Sequence, residues 1–204
     1  MLGLASRMVP PESPSNQHFV AAGGLVFVNK GLRLPGSEPR GLQRVRTELL
    51  RRAGCTAGAR RGRVYLWHRS SDTRMLHNPA EVEAALRKWA ARFGGRLTVE
   101  AYDPARLPLR ESLRRLCECA LVVHMHGGLL FHSIGLPDGS AVVEMLPRDG
   151  LCTTGSHFNV ALRHRWWGLG VAGHRDQTWS VAAVPQLEAV LEEVGAYLAS
   201  RPWF

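Results

Sequence analysis

Residues 121–147 read LVVHMHGGLLFHSIGLPDGSAVVEMLP, and the reading of this stretch decides the fold. It opens with an apolar run too short for a helix and closes with a second one, AVVEML. Runs of this length, bounded by turn residues and rich in valine, read as strands buried on both faces. Between them lie two histidines one residue apart, the paired glycines Gly127 and Gly128, and the Pro137-Asp138-Gly139 turn. Three chemistries compete for this link: a metal site, a phosphate cradle, or a turn whose histidines only cap and pack.

Outward from this stretch, strands and helices alternate. Val20–Val28 is a glycine-interrupted apolar segment that reads as a possible strand. GLQRVRTELLRRAG places Leu42, Val45, Leu49 and Leu50 on one helical face, with Gly54 as its stop. Val64–Trp67 is a strand. In NPAEVEAALRKWAARFGG, Asn78 can cap, Pro79 sits at the first helical position, Glu81 occupies the capping-box position, and Gly94-Gly95 end the helix. RLTVEAY is a strand, and LRESLRRLCEC a helix with Leu109, Leu113 and Leu116 at helical spacing. After residue 147, SHFNVALRHRWWG reads as helix, LGVAG as a short strand, and VPQLEAVLEEVGAYLASR as a closing helix. Alternation of this kind argues for βαβ units. The expected class is α/β, a single Rossmann-like parallel sheet with helices on both faces. It spans residues 19–204 and follows a polar, Pro/Ser-rich stretch, 1–18, that reads as a disordered leader.

Composition fits that reading. The chain has 204 residues, 45% of them hydrophobic, enough for one core and too many for a disordered chain. Its net charge is +9, carried almost wholly by arginine, since Lys30 and Lys88 are the only lysines. Arginine's planar fork of donors suits phosphate, so an anionic partner is expected. No apolar run approaches the roughly 18 residues of a membrane span, and no signal-peptide core or membrane anchor is visible. The cysteines Cys55, Cys117, Cys119 and Cys152 match no zinc pattern and are compatible with either thiols or disulfides.

In a parallel sheet, ligands bind beyond the carboxyl ends of the strands. His126-Gly127-Gly128 follows such an end. Glycines there let backbone approach a ligand, and N–H groups at the following helix start favour an anion, to which His126 can donate. The stretch is not the GxGxxG of a standard dinucleotide site. A metal site needs His124 and His126 with partners from His132, His157, His164 or His174, and none falls at an obvious companion spacing. The expectation is therefore no metal. Trp166 and Trp167, read on a helix, are core residues first and stacking groups second. The Arg40–Arg63 cluster also raises nucleic-acid binding, but no recognition-helix, zinc-finger or RNP pattern accompanies it, and no nucleic-acid partner is expected.

The segment PLRESLRRLCECALVVHMHGGLLFHSIGLPDGSAVVEMLP resembles the signature region of glycosyltransferase family 61. Plant N-glycan core xylosyltransferases and animal O-linked N-acetylglucosaminyltransferases belong to that family. Its His-Gly-Ala-Gly-Leu, Pro-x-Gly and Glu-x-x-Pro elements align with residues 126–130, 137–139 and 144–147 without gaps. Arg69, Arg74, Asn78 and Glu81 resemble its upstream Arg-x-x-x-Asn-x-x-Glu region. The likeness spans roughly 20–200. Leu129 replaces the family's second glycine and His132 its asparagine.

The resemblance implies the donor-binding lobe of a two-lobed GT-B enzyme, with the acceptor-binding half absent. It implies inverting, metal-independent transfer from a UDP-sugar, with no further cofactor, to a glycan or glycoprotein acceptor in the lumen of the Golgi or endoplasmic reticulum. On this reading Arg69 and Arg74 clamp the donor's phosphates with His126, Gly127 and Gly128, and Glu144 binds ribose hydroxyls. Asn78 and Glu81 remain helix caps, and no residue stands out as the catalytic base. The alternative is a module that binds a nucleotide-sugar without transferring it.

Overall fold

The computed structural model describes residues 8–9, 16–21, 25–30, 39–55, 61–69, 75–147, 154–172 and 184–204. Three short strands, β1 (Met8–Val9), β2 (Asn16–Ala21) and β3 (Leu25–Lys30), pair antiparallel in that order. The Val20–Val28 segment is thus two strands of a hairpin rather than one. Strand β1 and the start of β2 fall within residues 1–18, the stretch read as a leader.

The main body is a five-stranded sheet of β4 (Arg63–Trp67), β5 (Thr98–Tyr102), β6 (Cys119–Met125), β7 (Ala141–Pro147) and β8 (Arg165–Val171). Its order is β5-β4-β6-β7-β8 and every neighbouring pair is parallel. All seven residues of β6 are buried, as expected for a central strand covered on both faces. Helices α2 (Pro79–Ala91) and α5 (Val184–Ala199) cover one face. There Val64, Leu66, Val123 and Val143 meet Val82, Leu86, Leu187 and Leu191. The other face carries α1 (Pro39–Ala53), α3 (Leu109–Leu116), a 3-10 helix over Gly128–Gly135, and α4 (Thr154–Ala161). Beneath them lies a smaller cluster that includes Tyr65, Trp67, Leu116, Val122 and Val142. The α/β class with helices on both faces is the one expected from the sequence.

Three local readings are corrected. The helix read into SHFNVALRHRWWG stops at Ala161, and Arg165–Val171 is strand β8. Arg163, at φ 60°, turns the chain out of the helix, and the following Trp-Trp pair suits a pleated, buried surface. Helix α1 does not bury the face predicted for it. Val45 is 51% exposed, while Arg46 and Ala53 are buried. Arg46 donates to the carbonyl of Leu162 and pairs with Asp138, and Gln43 Nε2 donates to Ala161 O at 3.1 Å. The end of α4 leaves carbonyls without intrahelical partners, and a cation satisfies them well. Helix α1 is therefore fastened partly by polar contacts that apolar periodicity does not register. Asn78 does precede α2, but its side chain does not cap the backbone; its amide donates to Glu81 Oε2 at 3.0 Å.

Cys55 and Cys117 form a disulfide, with Cα atoms 5.4 Å apart, that ties the end of α1 to the end of α3. Cys119 is a buried free thiol; Cys152 lies outside the described residues.

Candidate functional site

The strand order places β4 and β6 side by side although β5 and α3 come between them in the chain. Crossovers leave in opposite directions at such a point, and a crevice opens beyond the carboxyl ends of the two strands. Trp67 ends β4 and leads to His68-Arg69; Met125 ends β6 and leads to His126-Gly127-Gly128. These are the residues read as the cradle.

One row crosses the sheet just below the crevice. Trp67 pairs with His124, His124 with Glu144, and Glu144 with Gly168. Side chains alternate along a strand, so this row shares the face covered by α1, α3 and α4. Glu144 is wholly buried. Its Oε1 lies 2.6 Å from His126 Nδ1, and its Oε2 accepts from Trp166 Nε1 at 2.9 Å. Trp166 is registered with Val142 and its indole runs along β8 past Gly168. A Cβ on Gly168 would come within 2.7 Å of that indole, so glycine leaves the ring its route to the carboxylate. Gly155, in the first turn of α4, closes the pocket from above. A Cβ there would overlap Glu144 Oε2. The buried carboxyl group is thus held by an imidazole and an indole, with the start of α4 packed against it. It reaches the crevice through His126, whose side chain is 13% exposed.

The glycine turn itself is strained toward glycine. Gly127 has φ 132°, a conformation side-chain-bearing residues rarely adopt, and its carbonyl accepts from Leu130 N at 3.0 Å to begin the 3-10 helix. Gly128 is exposed, and the Arg69 guanidinium lies against it, 3.5 Å from where a Cβ would sit. In a 3-10 helix, residues three apart are eclipsed. Gly128, Phe131 and Ile134 therefore share one side, and Leu129, His132 and Gly135 another. Leu129 is 4% exposed in the inner cluster, His132 meets Trp67 edge-on at 6.1 Å, and a Cβ on Gly135 would strike Leu113 and Leu116 of α3. The two departures from the family pattern thus face inward, away from Gly128.

The structure brings together Arg69, His126, Gly127, Gly128 and Glu144. Arg74 lies outside the described residues. Of the histidines weighed as metal ligands, His174 also lies outside them. Among the described residues no three His, Cys, Asp or Glu side chains cluster as a metal site. What sequence reasoning missed was the Glu144–His126–Trp166 chain of contacts. The lone glutamate in AVVEML signalled a partner without naming it, and Trp166 was read on a helix.

His124, fully buried, has a lowered pKa because burial penalises its charged form. Its Nδ1–H donates to Met125 O at 2.9 Å, and its Nε2 has no partner among the described residues. It folds neutral, so the unfolded state binds the extra proton first. Stability is expected to be intact above the ordinary histidine pKa of about 6.5 and to fall as pH drops below it. Urea midpoints at pH 7.5 and pH 5 check this: the drop should be smaller in His124→Gln, and an unchanged drop would exclude His124 as its source.

The β4/β6 switch point of this α/β sheet thus holds a glycine turn, an arginine and a histidine braced by a buried glutamate. The glycosyltransferase 61 family profile matches residues 4–143, and the chain belongs to that family. The match ends one residue before Glu144. No curated protein matches the sequence. Among solved structures, a mutant flavo di-iron protein from Thermotoga maritima is similar at 10% identity and a TM-score of 0.47, covering 81% of this chain and 49% of its own. An oxidoreductase from Corynebacterium diphtheriae is similar at 13% identity and a TM-score of 0.46, covering 70% and 100%. The chain therefore spans about half the length of the first of these. No helix among the described residues is long and apolar enough to cross a membrane.

Proposed function

We propose that this chain is the donor-binding part of a glycosyltransferase that transfers a sugar from a UDP-sugar to a glycan or glycoprotein acceptor, with inversion and without a bound metal. The convergence of Arg69, His126 and the Gly127–Gly128 turn at the β4/β6 switch point carries the reading. In such a transfer the acceptor oxygen bonds to the anomeric carbon, and the bond from that carbon to the diphosphate breaks. UDP departs with the electron pair. Negative charge grows on the diphosphate, and preorganised donors aimed at it lower the barrier. Arg69 supplies a guanidinium beside Gly128, and Arg74, five residues further along the sequence, a second. Gly127 and Gly128 let backbone N–H groups approach. Glu144 fixes the His126 ring by accepting at Nδ1, and contact with the ribose hydroxyls passes through this pair. The acceptor's proton goes to a base that none of these residues supplies.

The alternative, a module that binds a nucleotide-sugar without transferring it, rests on the missing acceptor half and on the changed glycine loop. Leu129 and His132 both sit on the inner side of the 3-10 helix, which favours a cradle that accepts its anion under either reading. The Cys55–Cys117 disulfide supports an oxidising compartment, and with the family's habit it favours the Golgi or endoplasmic reticulum lumen.

Calorimetric titration of the folded chain with UDP tests the reading. Saturable binding is expected, weakened about 10- to 100-fold in Arg69→Ala, the loss typical of one charge-assisted hydrogen-bonding partner. Arg74→Ala should weaken it in the same direction. Absence of binding by the folded wild-type chain would overturn the proposal.

A further inference from the structure

Phe131 is one of few large apolar side chains that the described residues leave exposed, at 55%. It lies on the outer side of the 3-10 helix with Gly128, about 6 Å further along at the rise of that helix. Arg69 reaches the same side at Gly128. Phe131 meets Phe158 of α4 edge-to-face, with ring centroids 5.6 Å apart. Phe158 is only half-buried and follows Gly155, which packs on Glu144, by three residues. Each ring is therefore one helical turn from a residue of the cradle. An edge-to-face pair fixes the Phe131 ring while leaving ring surface open. The other large apolar side chains exposed among the described residues, Val45, Leu109 and Val160, are aliphatic and offer no flat surface.

We infer that Phe131, steadied by Phe158, is the platform on which the base of the bound nucleotide stacks. The inference rests on the proposed function, since it takes the diphosphate to lie at Gly128 and Arg69. An anion held there, linked through one ribose to a planar heterocycle, spans the interval from Gly128 to Phe131. Stacking on one aromatic ring is tolerant of base identity, so Phe131 supplies affinity for a nucleoside in general. Selection of uracil then falls to hydrogen bonds made elsewhere.

Titrations with UDP and with inorganic pyrophosphate separate the platform from the cradle. Phe131→Ala is expected to weaken UDP binding about tenfold and to leave pyrophosphate binding unchanged. Phe131→Trp should bind UDP at least as well as wild type. Arg69→Ala should weaken both ligands. If Phe131→Ala binds UDP like wild type while Arg69→Ala does not, the platform is wrong and the cradle stands. If Phe131→Ala weakens pyrophosphate as much as UDP, the ring shapes the cradle rather than stacking, and the inference fails. If neither ligand binds the folded wild-type chain, the inference falls together with the proposed function.

Discussion

Replacing Glu144 by glutamine is expected to weaken UDP binding at least tenfold while the chain still folds. Glutamine keeps the volume but presents a neutral amide, which can bond both His126 Nδ1 and Trp166 Nε1 only if the imidazole takes its other tautomer. The charge assistance of both bonds is lost, at a cost of about 2 kcal/mol, since bonds to charged groups are worth roughly 1.5–3. Alanine goes further. It leaves both donors buried, opens a cavity beneath α4, and should destabilise the fold by about 3–5 kcal/mol. Gly155→Ala perturbs the same carboxylate from α4, because its methyl group would collide with Oε2. Urea unfolding and UDP calorimetry on the three variants form one test. Glu144→Gln that binds UDP like wild type would show that His126 needs no brace, and the role given to Glu144 would be withdrawn.

Loss of the Cys55–Cys117 disulfide should rank next in size. The bridge closes a loop with a sequence separation of 62, and loop-closure entropy for such a length corresponds to about 4 kcal/mol. That is a large part of the 5–15 kcal/mol by which domains are usually stable. The bridge also holds α3 to α1, and α3 supplies the leucines against which Gly135 packs at the far end of the 3-10 helix. A Cys55→Ser/Cys117→Ser variant, or wild type under reductant, should therefore show a much lower urea midpoint. Equal midpoints with and without reductant would mean that the two thiols stand side by side without stabilising the fold.

Most strands, most helices and the glycine turn were legible because each is a local pattern. Continuous apolar runs such as ALVVHM state that both faces of a strand are covered. Pro79 and Gly94-Gly95 punctuate α2 at the two ends where the chain changes conformation. Gly127 announces a backbone angle that other residues avoid. Errors came where long-range contacts outvoted local signals. Leu42, Val45, Leu49 and Leu50 have helical spacing, yet α1 turns Arg46 inward because the carbonyls ending α4 and the carboxylate of Asp138 await it across the fold.

By itself, then, the sequence determined the α/β class, the residues of the glycine turn and the family signature. These depend on side-chain type and spacing along the chain. Only the tertiary structure decided the strand order that sets β4 beside β6, and with it the meeting of Arg69 with Gly128. It alone gave Glu144 its partners, 18 residues away in His126 and 22 in Trp166, and paired Cys55 with Cys117. It also turned Leu129 and His132 inward and Phe131 outward. The physical reason is common to all four. Which groups touch depends on how a parallel sheet is wound and how helices are rotated upon it, and both are fixed by summed packing over the whole core rather than by any local run of residues.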